Sequence, residues 1–261
     1  MALRYSPNLS MLYTEVPFLD RFARASSAGF AAVEFQFPYD SGIDAIKERV
    51  DDLELKVVLF NLHPGDVASG ELGTVSNPAR RDYFRWSLST ALEAACHLNC
   101  GRLNVMFGQK VPDLEPAAQI ECAVENLAWA APLAEEAGVT LLIEPLNPTD
   151  FPNCFIRNTR DAANLIAALN HPRVKLQYDV YHAQMAEGNL TNTIVANLPL
   201  IEHIQIADVP GRHQPGTGEI NYPAIFAALE KLGYQGYIGL EYHPEGGTDA
   251  SLSWLPLEAR R

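Results

Sequence analysis

Four oxygen-bearing side chains stand where short apolar runs of this sequence end. Leu141-Leu142-Ile143 finishes in Glu144, Leu176-Gln177-Tyr178 in Asp179, Ile204 leads to Gln205, and Gly239-Leu240 finishes in Glu241. One acid at such a point is ordinary and finds a salt bridge. Four on successive runs are different: if the runs are neighbouring strands of a closed barrel, their C-terminal ends converge and the side chains share one space. Three carboxylates in a partly desolvated space repel one another, and a divalent cation favours every charged form. Glu144, Asp179, Gln205 and Glu241 are therefore assigned as metal ligands. As a hard, all-oxygen set they suit Mg²⁺ or Mn²⁺ and offer none of the thiolate of a structural zinc site. Glu144 and Glu241 belong to runs three steps apart around the ring and flank whatever the cation holds. They are assigned as the catalytic pair, taking a proton from one carbon and returning it to its neighbour, while Asp179 and Gln205 serve only as ligands.

The elements that must position these residues are legible as an alternation. Eight runs rich in Val, Ile, Leu and Phe are expected as strands at 3–9, 31–37, 56–62, 102–107, 139–146, 174–181, 201–208 and 237–243. Between them lie segments with apolar residues three and four apart, such as Phe18, Leu19, Phe22 and Ala23, or Ile225, Phe226, Leu229 and Leu232. Repeated strand–helix units imply an α/β protein with a parallel sheet, and the order and length predict a single (β/α)8 TIM barrel over 1–261. Asn221-Tyr222-Pro223 marks a helix start, and Gly29, Gly138 and Gly233 mark helix ends. Pro132 is expected to kink or split the helix over 117–137, because its ring displaces a carbonyl and it has no N–H. The long loop over 63–78, with Pro64-Gly65-Asp66 and Gly70-Glu71-Leu72-Gly73, is either a mobile cover over the strand ends or a plain surface excursion.

Composition narrows the partners. Of 261 residues 48% are hydrophobic, enough for a core, yet no stretch is apolar for the length a membrane span needs. The first residues, Met1-Ala2-Leu3-Arg4-Tyr5-Ser6-Pro7, turn polar too soon for a signal peptide, so a cytoplasmic enzyme is expected. Cys96, Cys100, Cys122 and Cys154 have no metal-binding spacing and read as buried free thiols. A net charge of −13, with no basic cluster beyond Arg80-Arg81 and Arg260-Arg261, argues against nucleic acid; a homo-oligomer is left open.

Longer stretches carry a family likeness: residues 31–39 (Ala-Ala-Val-Glu-Phe-Gln-Phe-Pro-Tyr), Glu144-Pro145-Leu146-Asn147, Gln177-Tyr178-Asp179-Val180-Tyr181-His182-Ala183-Gln184, and the run over 203–222. On these the chain resembles the hydroxypyruvate isomerase family of the xylose-isomerase-like barrel superfamily, from near the N-terminus to beyond the eighth strand. The resemblance implies interconversion of hydroxypyruvate and tartronate semialdehyde, with the family's catalytic glutamates on Glu144 and Glu241 and its metal ligands on Glu144, Asp179, Gln205 and Glu241. A sister group isomerises 2-oxo-tetronate, and sugar epimerases share the fold and metal. Similar epimerases place a substrate-binding histidine at the position of His182 and an arginine near Arg212, so both are taken as substrate-binding for a small anionic hydroxy-keto acid. His63 and Asp150 are further candidates for the pocket wall. The family usually carries a lysine before proline where His243 precedes Pro244, so a protonated His243 or Arg212 alone must supply the cation for a substrate carboxylate. Apurinic-site endonucleases share the barrel too, but they need several zinc ions and a basic surface, and Gln205 stands here where their histidine ligand is expected.

Overall fold

The computed structural model describes residues 2–260. Its strands are Arg4–Pro7 (β1), Ala32–Glu34 (β2), Lys56–Asn61 (β3), Arg102–Asn104 (β4), Thr140–Ile143 (β5), Val174–Asp179 (β6), Ile201–Ile206 (β7) and Tyr237–Leu240 (β8). All pair in parallel in the order β1-β8-β7-β6-β5-β4-β3-β2. The ring closes between β1 and β2, where the Leu9 N–H donates to the Glu34 carbonyl at 2.7 Å and Asn8 bridges Glu34. The expected (β/α)8 barrel is present.

Helices pack around this ring: Phe18–Ser27 (α1), Ile43–Asp52 (α2), Arg81–His97 (α3), Pro116–Glu136 (α4), Thr159–Leu169 (α5), Val180–Ala186 (α6), Leu190–Asn197 (α7), Tyr222–Leu232 (α8) and the short Thr248–Ser251 (α9). One extended core fills the space between strands and helices, with Phe22, Phe35, Phe84, Leu88, Leu127 and Leu229 fully buried. A second, small cluster of Ala32, Val58, Leu59 and Leu142 is separate from it. Neighbours in sequence such as Val57 and Val58, or Leu141 and Leu142, divide between the two, as alternation across a strand requires. The second cluster is thus the apolar plug inside the barrel. Above it the interior is polar, with Ser6, Asn8, Glu34, Asn104, Gln177, Asp179, His203, Gln205 and Glu241 all buried.

Several expectations need correction. The strands end sooner than the apolar runs suggested, although Asn8, Gln36 and Glu241 keep single backbone bonds to their neighbours just past the strand ends. Pro132 does not split its helix: α4 runs through it. Pro132 and Ala128, whose carbonyl loses its partner, are both exposed, so water can take the place of the missing N–H. Cys96 is exposed, whereas Cys100, Cys122 and Cys154 are buried as expected. Among the described residues no helix is long and apolar enough to cross a membrane.

The loop over 63–78 is only partly free. Thr74, Val75 and Ser76 are buried; Ser76 Oγ donates to the Phe107 carbonyl at 2.8 Å and Asn126 Nδ2 to the Val75 carbonyl at 2.8 Å. Any cover over the strand ends is therefore confined to the exposed tip, Asp66 to Gly70, which the Asp66 carboxylate caps. The anchor depends on Gly73, whose φ is +106° and where a Cβ would lie 2.0 Å from the Met106 carbonyl oxygen. Gly73→Ala is expected to destabilise the fold by about 1–3 kcal/mol, the usual cost of forcing a side chain into such backbone. Urea unfolding would show this as a lower midpoint; an unchanged midpoint would contradict the packing of this loop.

Candidate active site

Asp179 ends β6 and simultaneously caps α6. Its Oδ1 accepts from the N–H groups of Tyr181 at 2.7 Å and His182 at 3.3 Å. Its Oδ2 is buried with no hydrogen-bond partner. Arg212 Nη2 lies 3.5 Å from that oxygen and His182 Nε2 3.8 Å. A buried acceptor left unmatched is costly, and this one could accept a cation as its partner.

His182 is placed by the first turn of α6. Its Nδ1 receives Asn147 Nδ2 at 2.8 Å and the Asn147 N–H at 3.3 Å, so the ring carries its proton on Nε2, towards Asp179. Burial, with Asp179 opposing, pushes its pKa down to about 4, leaving a neutral donor at physiological pH. Among the described residues, Glu144, Asp179 and His182 form the group of His, Cys, Asp or Glu with ligating atoms all within 4.8 Å of one another. Of the four expected ligands, Glu144 and Asp179 thus meet directly, joined by a histidine assigned from sequence to substrate.

Glu144 follows β5 and accepts from Asn104 Nδ2 at 2.6 Å. Burial first, then the charges of Glu241 and Asp179, raise its pKa well above the ordinary carboxyl value against the opposing pull of Arg212 and Asn104. Glu241 follows β8 and sits against the opposite wall, accepting from Arg212 Nη2 at 2.6 Å, Asn8 Nδ2 at 2.9 Å and Gln36 Nε2 at 3.2 Å. Its pKa is also raised: burial outweighs the lowering influence of Arg212 and is reinforced by Asp179 and Glu34. Gln205, on β7, donates from Nε2 to Glu34 at 2.8 Å and accepts at Oε1 from Gln177 at 2.6 Å.

Arg212 bridges Glu241 and Asp179 from a turn after β7. Its φ is +57°, the His243 N–H donates to its carbonyl at 2.8 Å, and its guanidinium lies over the Tyr181 ring at 5.1 Å. The Asp208 carboxylate organises this turn by accepting from the N–H groups of Val209, Gly216 and Ile220. Burial lowers the Arg212 pKa, but Glu241, Asp179 and Glu144 more than offset this, so it is a fixed positive charge.

The remaining sequence candidates lie further out. Asp150 is exposed and accepts from Tyr181 Oη at 2.7 Å and Asn147 Nδ2 at 3.0 Å, steadying the residues that hold Arg212 and His182. His63 stacks among Tyr39, Tyr83 and Trp86 at the mouth of β3, with Nδ1 bonded to the Tyr83 hydroxyl. His243 is exposed, and partial burial, Arg212 and His213 lower its pKa, so it is neutral at physiological pH. The permanent cation is Arg212. Sequence reading missed Asn8, Gln36, Asn104 and Asn147 as partners of the acids, and Glu34 beneath them.

Glu144, Asp179 with its unmatched oxygen, and His182 form a group that could hold a divalent cation. Barrel and site together define an enzyme whose chemistry sits at the C-terminal ends of the strands. The chain belongs to the xylose isomerase-like TIM barrel family, which matches residues 22–257. It is 43% identical over 252 residues to the 2-oxo-tetronate isomerase of Cupriavidus necator, covering 97% of each chain. It is 42% identical over 254 residues to the hydroxypyruvate isomerase of Escherichia coli, covering 97% of this chain and 98% of that one. A crystal structure from Brucella melitensis described as an AP endonuclease, family 2, superposes with a TM-score of 0.94 at 42% identity, covering 97% of this chain and 98% of that one.

The raised carboxyl pKa values have a consequence with a definite sign. Glu144 holds its proton more tightly folded than unfolded, so its contribution to stability is fully present below the ordinary carboxyl pKa and is lost as pH rises through the raised value. In chelator, Glu144→Gln should therefore gain stability relative to the unmodified chain as pH is raised from about 5 to 8. Adding Mn²⁺ should reverse the order, because the amide is the poorer ligand. Thermal melts of both proteins measure this, and a stability gap that does not change with pH would count against the burial of Glu144.

Proposed function

We propose that this chain is a metal-dependent isomerase that interconverts hydroxypyruvate and 2-hydroxy-3-oxopropanoate, its cation being Mg²⁺ or Mn²⁺ held by Glu144, Asp179, Gln205 and Glu241. The isomerase class rests on full-length relatives named as isomerases. The observation that carries the chemistry is geometric: the Asp179 oxygen without a partner lies beside half-buried Glu144, with buried Glu241 tied to the same Arg212 that approaches Asp179. Burial raises the pKa of both glutamates, that of Glu241 to about 7, and a carboxyl that titrates near the working pH can both take and give a proton. Because the relative named for 2-oxo-tetronate matches as well as the one named for hydroxypyruvate, the four-carbon acid is the alternative substrate.

When bound, the cation would polarise the carbonyl and hydroxyl oxygens of the substrate and make the intervening C–H acidic. One glutamate, as carboxylate, takes the proton from C3 of hydroxypyruvate, leaving an enediolate. The other, as acid, returns a proton to C2, while the hydroxyl proton moves from the C3 oxygen to the C2 oxygen. The ketone becomes a secondary alcohol and the primary alcohol an aldehyde, with no net gain of protons or electrons. His182 Nε2–H offers a neutral hydrogen bond to a substrate oxygen, and Arg212 offers a two-pronged contact for the carboxylate. The strongly negative chain and the local positive charge of Arg212 favour a small anion over a nucleic acid.

The test is turnover of hydroxypyruvate by Mn²⁺- or Mg²⁺-loaded protein in D₂O, followed by NMR. Deuterium at C2 of the product is expected, with Glu144→Gln and Glu241→Gln each lowering kcat by roughly 10²–10⁴. Product free of deuterium would rule out an exchangeable proton shuttle. Turnover of 2-oxo-tetronate alone would reassign the substrate, and turnover of neither acid would sink the reading.

A further inference from the structure

Beneath the site lies a second acid that the chemistry above does not use. Glu34, at the end of β2, is fully buried, and its two oxygens meet four donors. Oε1 accepts from Gln205 Nε2 at 2.8 Å and Asn8 Nδ2 at 3.3 Å; Oε2 accepts from Ser6 Oγ at 2.9 Å and faces His203 Nε2 at 2.8 Å. The barrel is shaped to admit this group: a Cβ on Gly239 would lie 2.4 Å from Glu34 Oε1. Every contact uses Glu34 as acceptor.

We infer that Glu34 is a positioning residue that fixes which way the amide of Gln205 faces. Because Glu34 accepts, Gln205 must turn its nitrogen down to it and its oxygen away, where Oε1 takes the Gln177 Nε2–H at 2.6 Å and keeps a second lone pair for a cation. Without that acceptor the two ends of the amide are nearly equivalent in shape, and nothing keeps NH₂ from facing the metal position. Asn8 extends the same control, since its Nδ2 donates to both Glu34 and Glu241. The inference rests on the reading of Gln205 as a metal ligand. Partners of this kind commonly change metal affinity by 10–100-fold.

The experiment is Mn²⁺ titration, by calorimetry and EPR, of the chelator-treated full chain, of Glu34→Gln, and of Glu34→Gln combined with Gln205→Glu. In Glu34→Gln an NH₂ is forced against donors, and at least a tenfold loss of Mn²⁺ affinity is expected. In the double variant the amide of position 34 donates to the new carboxylate, the net charge of the pair is unchanged, and affinity should return to within a few-fold of the original. Gln205→Glu alone, with Glu34 kept, sets the gain due to the added ligand charge, and a mere structural prop gives no rescue beyond that gain. Unchanged affinity in Glu34→Gln, or a double variant no tighter than the single one, overturns the inference. An unmodified chain that binds no Mn²⁺ overturns the metal reading instead.

Should Glu34→Gln fail to fold, the unmodified protein carries the test. Its Gln205 side-chain amide, assigned by its disappearance in Gln205→Glu, should show a downfield, slowly exchanging proton with and without Mg²⁺. Two protons at the shifts of a solvent-exposed glutamine amide, exchanging fast with water, would refute the fixed orientation.

Discussion

The mutual repulsion of Glu144, Asp179 and Glu241 in a desolvated mouth is the constraint that the rest of this barrel answers. Each carboxylate has a different answer. Glu144 and Glu241 are held towards protonation and take hydrogen bonds from amide nitrogens, Asn104 for the first and Asn8 with Gln36 for the second. Asp179 spends one oxygen on the start of α6 and leaves the other unmatched. The ring is thereby divided: β1, β2 and β4 lead into the amide donors Asn8, Gln36 and Asn104, and β5, β6 and β8 lead into acids. The proposed cation would complete a balance that the protein groups alone leave unfinished.

That division depends on an interior unlike the aliphatic stack that usually fills such a barrel. One small apolar cluster plugs the ring, and above it polar side chains bond one another in chains, one running from Gln177 through Gln205, Glu34 and Asn8 to Glu241. Polar groups sealed from water are costly when unpaired, and the bonds they do make hold each member in one orientation. The price of such an interior is met by the large outer core between strands and helices. Stability and precision are thus built in different layers: aromatic and aliphatic packing outside the ring, directed hydrogen bonds within it.

How far this was legible in the sequence follows from the same division. Acids that end apolar runs stand out, because a charge beside a hydrophobic strand demands an explanation; hence Glu144, Asp179 and Glu241 were found with the barrel itself. Amides in the same position demand none, and Asn8, Gln36 and Asn104 passed unnoticed although they face those acids. Glu34 lay in plain view at the end of an apolar run, but the register of β2 shifts between Val33 and Glu34, and no spacing rule shows that its carboxyl turns inward beneath Gln205. His63 and Asp150 carried the right chemistry at strand ends yet found partners among Tyr83 and Tyr181. Sequence position could not choose between those neighbours and the acids.

Arg212 ties the electrostatics to the substrate. Its guanidinium is engaged by Glu241 and Asp179. Its nearness is the largest influence holding the Glu241 pKa down against burial. Under the proposed function, a substrate carboxylate that drew the guanidinium away would remove that influence and make Glu241 the stronger base. A lysine at the position of His243 would weaken this coupling by offering the carboxylate a second cation. One arginine serving both anions makes substrate binding and base strength parts of a single equilibrium.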